Sequence, residues 1–302
     1  MTNALLLSWD LRPEIILVLG LAAAVYLVGW RRLRGMTGAR PAGADRPAQS
    51  PLAAGWRLAT YWAGLATIAV ALMSPVDILS SQLFFMHMIQ HLLLTMVAVP
   101  LLLIGNPFPV LVWGLPKRTR RGVSGLLNER STFRKVLAKI TSPGIVWLLY
   151  VSALIGWHDP KMYDLALRNQ FVHDIEHLCF FVTTMLLWWH VLGVAPRFHR
   201  TMSVGQRLIY TISVVPVSVI IGVAIAFATT PIYTYYLEVP RLMGLSVLED
   251  QMISGILMWI PGSEMFFWAA LIVLTQIVKE DEKKKAESRT AWTVDESVAV
   301  SQ

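Results

Sequence analysis

Long apolar stretches alternate with shorter polar segments along the whole chain. A helix needs roughly 20 apolar residues to cross the hydrocarbon core of a bilayer, and lipid offers its backbone no hydrogen-bonding partners. Seven stretches predict such helices, at residues 13–30, 56–73, 82–105, 144–157, 171–194, 208–228 and 251–278. The pattern therefore predicts an all-α integral membrane protein whose transmembrane domain, residues 1–278, is a seven-helix bundle.

The composition agrees with this class of protein. Hydrophobic residues make up 55% of the chain, charged residues only 15%, and the mean hydropathy is +0.56. These values are too apolar for an ordinary soluble domain. The single cysteine, Cys179, excludes both a disulfide framework and a zinc site built from several thiolates.

The distribution of basic residues predicts the orientation of the bundle, since loops rich in lysine and arginine stay in the cytoplasm. With the N-terminus outside, the cytoplasmic segments hold 22 of the 26 Lys and Arg residues. We therefore predict an outer N-terminus and a cytoplasmic C-terminus. The net charge of +7 then reflects topology and attraction to anionic membrane lipid, so no nucleic-acid partner is expected.

Three polar segments lie on the predicted cytoplasmic side. Residues 31–55, rich in glycine, alanine and proline, are typical of a flexible linker. Residues 106–142 mix basic and apolar positions, which suits an amphipathic loop on the inner membrane surface. Residues 279–302 are polar and of mixed charge, which predicts a disordered tail.

Histidines are concentrated at the predicted outer ends of two helices. His87 and His91 form H-M-I-Q-H, and His173 and His177 form H-D-I-E-H. A spacing of four residues puts both rings of a pair on one helix face, about 6 Å apart along the axis, so that a helix can offer two ligands to one metal ion. His158, just after the fourth predicted span, lies at the same level. These five of the seven histidines form a candidate metal site.

Two interpretations of this cluster remain open. Polar side chains in a membrane bundle are costly unless paired, so a cluster indicates function, although histidine pairs can also link helices by hydrogen bonds. Imidazole suits several metals, and thioethers shift the preference toward Cu(I). Met88 and Met252 are candidate completing ligands and favour copper, although methionine also commonly fills gaps in apolar cores. Two histidines on facing helices could instead hold a haem iron.

Further polar residues lie near the histidines in the predicted topology. Asp174 and Glu176 could orient imidazoles as hydrogen-bond acceptors, or could cap the first turn of their helix. Asp77, Asp250 and Gln251 are predicted near the outer surface, where they could attract or relay a cation. A helix-capping role for Asp250 is an equal alternative.

The chain also resembles a known family at these residues. The resemblance rests on M-H-M-I-Q-H-L-L-L at 86–94, P-L-L-L-I-G-N-P at 100–107, H-D-I-E-H-L-C-F-F at 173–181 and D-Q-M-I-S-G-I-L-M-W-I-P-G at 250–262. Over nearly its whole length the chain is similar to the multi-spanning CtaG-type cytochrome c oxidase assembly factors associated with caa-type oxidases. The resemblance implies a multi-pass protein of the bacterial inner membrane that is needed to assemble a haem-copper oxidase.

The leading hypothesis is a non-enzymatic factor that binds copper, as Cu(I), at the outer membrane face. Its partners would be a haem-copper oxidase subunit or a periplasmic copper chaperone, besides membrane lipid. A first alternative is a membrane b-type cytochrome or metalloreductase with haem between the third and fifth helices. A second is a copper transporter, whose inner path would draw on His190 and Glu264.

Overall fold

The computed structural model describes residues 9–36, 50–200 and 202–299, and these residues contain helices and no strand. In chain order the helices are α1 (Pro13–Met36), α2 (Gly55–Met73), α3 (Pro75–Ser80), α4 (Phe84–Ile104), α5 (Pro107–Gly114), α6 (Lys117–Leu126), α7 (Thr132–Ile140), α8 (Pro143–Trp157), α9 (Pro160–Arg168), α10 (Gln170–Leu192), α11 (Val204–Ala226), α12 (Tyr235–Glu238) and α13 (Val247–Ala299). The all-α prediction is confirmed for the described residues.

Six helices are long and apolar enough to cross a membrane: α1, α2, α4, α10, α11 and the Val247–Thr275 part of α13. The remaining predicted span corresponds to α8, which has 15 residues and is too short to cross alone. It follows α7 at a bend of 52°, and the two make a seventh span only if they are taken together. The chain is therefore a multi-pass membrane protein, while the count of seven and the orientation stay predictions.

Helix α4, which bears the first histidine pair, lies at the centre of the bundle. It packs against α2, α10 and α13. In its most apolar stretch 67% of the residues are buried, compared with 17–44% in the other candidate spans. Its regular winding is interrupted by a π-helical turn at Leu93–Ala98. The central helix of the bundle thus bears two histidines and, just after them, a wider π-helical turn.

Glycines allow α11 and α13 to pack closely. A β-carbon on Gly255 would lie 2.4 Å from the backbone nitrogen of Ala226, and one on Gly222 would lie 2.9 Å from the carbonyl oxygen of Gly255. Small residues at such crossings let membrane helices approach backbone to backbone. This contact holds the start of α13, with Asp250 and Gln251, against the rest of the bundle.

The polar segments differ in part from the predictions. Helix α1 continues to Met36 and so covers the start of the predicted linker 31–55, of which residues 37–49 lie outside the described residues. The loop 106–142 contains the three short helices α5, α6 and α7. Helix α13 runs to Ala299, through most of the predicted disordered tail, where lysine, glutamate and alanine have high helix propensity.

Candidate metal centre

The fold brings four histidines from two helices to one point. His87 and His91 come from α4, and His173 and His177 come from α10. One ring nitrogen of each can be chosen so that all four atoms lie within 4.8 Å of one another. The rings are 4.2–4.3 Å apart within each pair and 5.1 Å apart between His87 and His173 and between His91 and His177. Each histidine is at most 8% exposed.

Five of the eight ring nitrogens of these histidines are buried without hydrogen-bond partners. This is true of both nitrogens of His87 and of Nε2 of His91, His173 and His177. A buried polar atom left without a partner costs about 1–3 kcal/mol. Hydrogen-bonded linkage of the two helices would satisfy these atoms, and among the described residues no hydrogen bond joins the four rings. The geometry fits a cluster whose lone pairs face a cation.

Glu176 on α10 lies next to the two histidines of α4. It is 1% exposed, and its Oε1 is 3.9 Å from Nε2 of both His87 and His91. Its Oε2 has no hydrogen-bond partner. It does not cap its own helix, because Asn169 accepts the hydrogen bonds from the first-turn backbone N–H groups, at 3.0 and 3.3 Å. Its carboxylate can therefore bind or neutralise a cation held by the histidines.

Asp174 has a different environment, although it is only two residues away. Its carboxylate accepts two hydrogen bonds from the Arg12 guanidinium, at 3.0 and 2.8 Å, and a third from the Gln170 side chain at 3.0 Å. The side chain is 40% exposed. Asp174 thus ties the segment before α1 to α10 and neither orients an imidazole nor caps the helix.

His158 lies outside the four-histidine group but close to it. Its Nδ1 is 2.7 Å from the Leu154 carbonyl oxygen. A carbonyl oxygen only accepts, so Nδ1 carries the proton and Nε2, which is buried without a partner, presents its lone pair. Burial lowers the pKa of His158 to about 4, which keeps the ring neutral. With His91, Met88 and Met258, His158 borders a small cavity next to the cluster.

The structure places Met258, and not Met252, beside the histidines. Met252 is 45% exposed, on the outward side of α13 that Ile256 and Ile260 share, whereas Met258 is 7% exposed and borders the cavity. Residues six apart in an α-helix differ by about 240° around the helix axis, so the two methionines lie on different faces. Met258 follows the fully buried Ser254 by four residues, a spacing that could have identified it.

Asp250 positions the helix that bears His87. Its carboxylate accepts hydrogen bonds from the backbone N–H groups of Phe84 and Phe85, at 3.0 and 2.9 Å, and pairs with Arg241 at 3.2 Å. These N–H groups belong to the first turn of α4, which has no cap from its own chain neighbours. Asp250 therefore caps α4 from α13, and not the helix on which it lies.

Gln251 holds the segment between α11 and α12. Its side-chain oxygen accepts a hydrogen bond from the Ile232 N–H at 2.7 Å, and its amide donates to the Thr230 carbonyl oxygen at 3.2 Å. The side chain is 3% exposed. These contacts make Gln251 a positioning residue and leave it no free group for a cation relay.

An aromatic group covers the histidines at the end of the bundle, and sequence reasoning missed it. Phe84, Tyr163, Tyr233 and Tyr236 are each at most 2% exposed. The Tyr163 ring lies 5.1 Å from that of His87, and its hydroxyl lies 3.2 Å from the hydroxyl of Tyr236. Because these residues come from α4, α9, α12 and the segment just before α12, only tertiary structure assembles the cover. The ring of His87, next to this cover, is fully buried.

Asp77 lies on α3 and anchors α4 without reaching the cluster. Its carboxylate accepts a 2.6 Å hydrogen bond from the Gln90 amide, which also donates to the Ala71 carbonyl oxygen at 2.9 Å. Burial raises the pKa of Asp77 from 3.8 to about 6. As pH rises from about 4 to 6 the unfolded chain therefore loses this proton before the folded one, and the protein loses stability.

The variant Asp77→Asn should remove this dependence. Asparagine cannot ionise but can still accept the hydrogen bond from Gln90. We expect the variant to be more stable than the parent by about 1–2 kcal/mol at pH 7, with a smaller difference at pH 4.5. Thermal unfolding of both proteins in detergent at the two pH values measures this, and a difference that does not grow with pH would contradict the expectation.

Fold and site together define a multi-pass helical membrane protein with a buried cluster of four histidines that could hold a metal ion. The chain belongs to the cytochrome c oxidase caa3 assembly factor family, whose model matches residues 24–280. This confirms the resemblance found in the motifs.

Relatives of the chain occur in mycobacteria. It is 24% identical over 235 residues to uncharacterized proteins of Mycobacterium bovis and Mycobacterium tuberculosis, and 21% identical to one of Mycobacterium leprae. Each match covers 75% of this chain and 35% of the relative, so the chain spans about a third of the length of these proteins. No solved structure matches the chain.

Proposed function

We propose that this protein is a non-catalytic oxidase assembly factor that holds a copper ion at His87, His91, His173 and His177 and passes it to a haem-copper oxidase subunit. The observation that carries the proposal is a set of four buried imidazoles whose ring nitrogens converge, each ring having a nitrogen without a hydrogen-bond partner. The oxidase is proposed as the recipient because the chain belongs to the cytochrome c oxidase assembly factor family. The proposed setting is the bacterial inner membrane, with the cluster near the outer face and a periplasmic copper chaperone as donor.

The ligand chemistry favours copper. Imidazoles bind copper, zinc, iron and nickel, whereas thioethers select Cu(I). The thioethers of Met88 and Met258 lie in the cavity that His91 also borders. Neutral imidazoles and thioethers do not have to lose protons to bind Cu(I) near pH 7, so transfer to a partner can proceed by exchange of ligands.

The haem alternative has less support. A porphyrin between α4 and α10 would need a broad slot between the two histidine pairs. The rings of facing pairs are only 5.1–6.2 Å apart, and Glu176 lies between the helices within 4 Å of two of them. The site has the size of an ion rather than that of a porphyrin.

The transporter alternative also has less support. His190 forms a 2.8 Å hydrogen bond with the Thr141 carbonyl oxygen, while Glu264 lies on an exposed face of α13. Among the described residues, no hydrogen bond or ion pair joins the two side chains. They therefore do not build the inner half of a polar path.

Bound metal in the purified protein tests the proposal. We expect elemental analysis to find copper in the parent and less copper in His91→Ala and His177→Ala, while the control His190→Ala matches the parent because its ring bonds to the Thr141 carbonyl oxygen, at the other end of α10. As much copper in both cluster variants as in the parent, zinc in place of copper, or iron with a Soret absorbance band would each overturn the copper site. If no sample contains metal, the histidine cluster has a structural role only and the proposal is wrong.

A further inference from the structure

A small cavity beside the four-histidine cluster is lined by three methionines. Met88 and Met96 reach it from α4, and Met258 reaches it from α13. All three are buried, at 3–7% exposure. A single methionine in a core is usually packing, but three thioethers around one space supply the donor type that Cu(I) prefers.

The π-helical turn brings two of these methionines to the same side. In a regular α-helix residues eight apart, such as Met88 and Met96, differ by about 80° around the axis. The turn at Leu93–Ala98 absorbs extra chain and reduces this angle, so that both side chains reach the cavity. Such turns are frequent at functional sites.

The cavity also contains polar atoms that packing does not explain. Nε2 of His158 and the hydroxyl of Thr184 are buried without hydrogen-bond partners. The Leu154 carbonyl oxygen fixes the proton of His158 on Nδ1, an arrangement typical of metal-binding histidines, whose other nitrogen is oriented by an acceptor. An apolar gap filled by methionine would gain nothing from these groups.

We infer that this cavity is a second metal position, selective for Cu(I), with His158, Met88 and Met258 as ligands and His91 on the boundary with the four-histidine cluster. The inference deepens the proposed function and rests on it. The two positions meet at His91. The first offers harder nitrogen and oxygen ligands, from four imidazoles and Glu176, and the second offers the softer sulfur ligands of thioethers. A copper ion can move between them by exchanging ligands one at a time, without entering water.

The test is a titration of the detergent-purified protein with Cu(I) against a competing chelator, with X-ray absorption at the copper edge. We expect about two Cu(I) per chain and copper–sulfur scattering in the parent. The double variant Met88→Leu/Met258→Leu, which nearly conserves side-chain volume, should bind about one fewer and lose the sulfur scattering. His158→Ala should also lose one equivalent. Met252→Leu, on the outward face of the same helix as Met258, is the matched control and should behave like the parent.

The outcomes separate this inference from the proposed function. A parent that binds one copper with nitrogen scattering only, or a double methionine variant identical to the parent, overturns the second position and leaves the four-histidine site standing. Loss of sulfur-bound copper in the methionine variant, with no copper lost in His87→Ala or His177→Ala, supports the second position and overturns the first.

Discussion

Replacing Glu176 by glutamine is expected to weaken Zn(II) and Cu(II) binding by about 10- to 100-fold and to raise the thermal stability of the metal-free protein. The carboxylate oxygen lies 3.9 Å from Nε2 of both His87 and His91, where it would offset the charge of a divalent cation bound by neutral imidazoles. Without metal, the same buried group has an oxygen with no partner. Glutamine keeps the shape but carries no charge, so metal affinity falls, and its amide can donate hydrogen bonds to the unpartnered ring nitrogens, so the metal-free protein becomes more stable.

Competition titrations with a zinc chelator and thermal unfolding in detergent measure the two effects. The matched control is Asp174→Asn, two residues earlier, because Asp174 binds Arg12 and is 40% exposed. We expect the control to leave metal affinity nearly unchanged. An affinity for Zn(II) that is the same in Glu176→Gln as in the parent would show that the carboxylate does not interact with the bound metal.

Replacing Asp250 by alanine is expected to destabilise the protein by about 3 kcal/mol. The change removes the cap on two backbone N–H groups of α4 and leaves Arg241, whose side chain is 28% exposed, without its carboxylate partner. The first turn of α4 begins three residues before His87, so the copper affinity of the cluster should fall as well.

Unfolding in detergent, followed by helix content, measures the loss in Asp250→Ala. The neighbouring Glu249→Ala is the control, since Glu249 is exposed and bonds only within its own first turn, to Ser246. We expect the control to cost less than about 1 kcal/mol. Equal stability of the two variants would contradict the capping role of Asp250.

The predictable parts of the fold are those that local pattern dictates. Six of the seven predicted spans match single helices because an apolar stretch of membrane length has few alternatives to a helix in lipid. The fourth was less predictable, since 15 residues cannot cross alone and the bend of 52° between α7 and α8 depends on what surrounds them. The hydrophobicity of a segment does not reveal whether its helix is bent.

Part of the candidate site was also predictable. The spacing of His87 from His91, and of His173 from His177, puts each pair on one helix face whatever the rest of the fold does. That the two pairs face each other was an inference from their equal predicted depth. The structure brings all four together, with ligand atoms within 4.8 Å.

What the sequence by itself determined is therefore the membrane class, the family and the four histidines, because apolar length, motif and four-residue spacing are local properties of the chain. Tertiary structure alone decided that Met258 and not Met252 faces the cavity, that Glu176 lies close to the two histidines of α4, and that Asp250 caps a helix 166 residues away in sequence. The physical reason is that these contacts depend on the rotation of each helix about its axis, which packing between helices sets and no local pattern encodes.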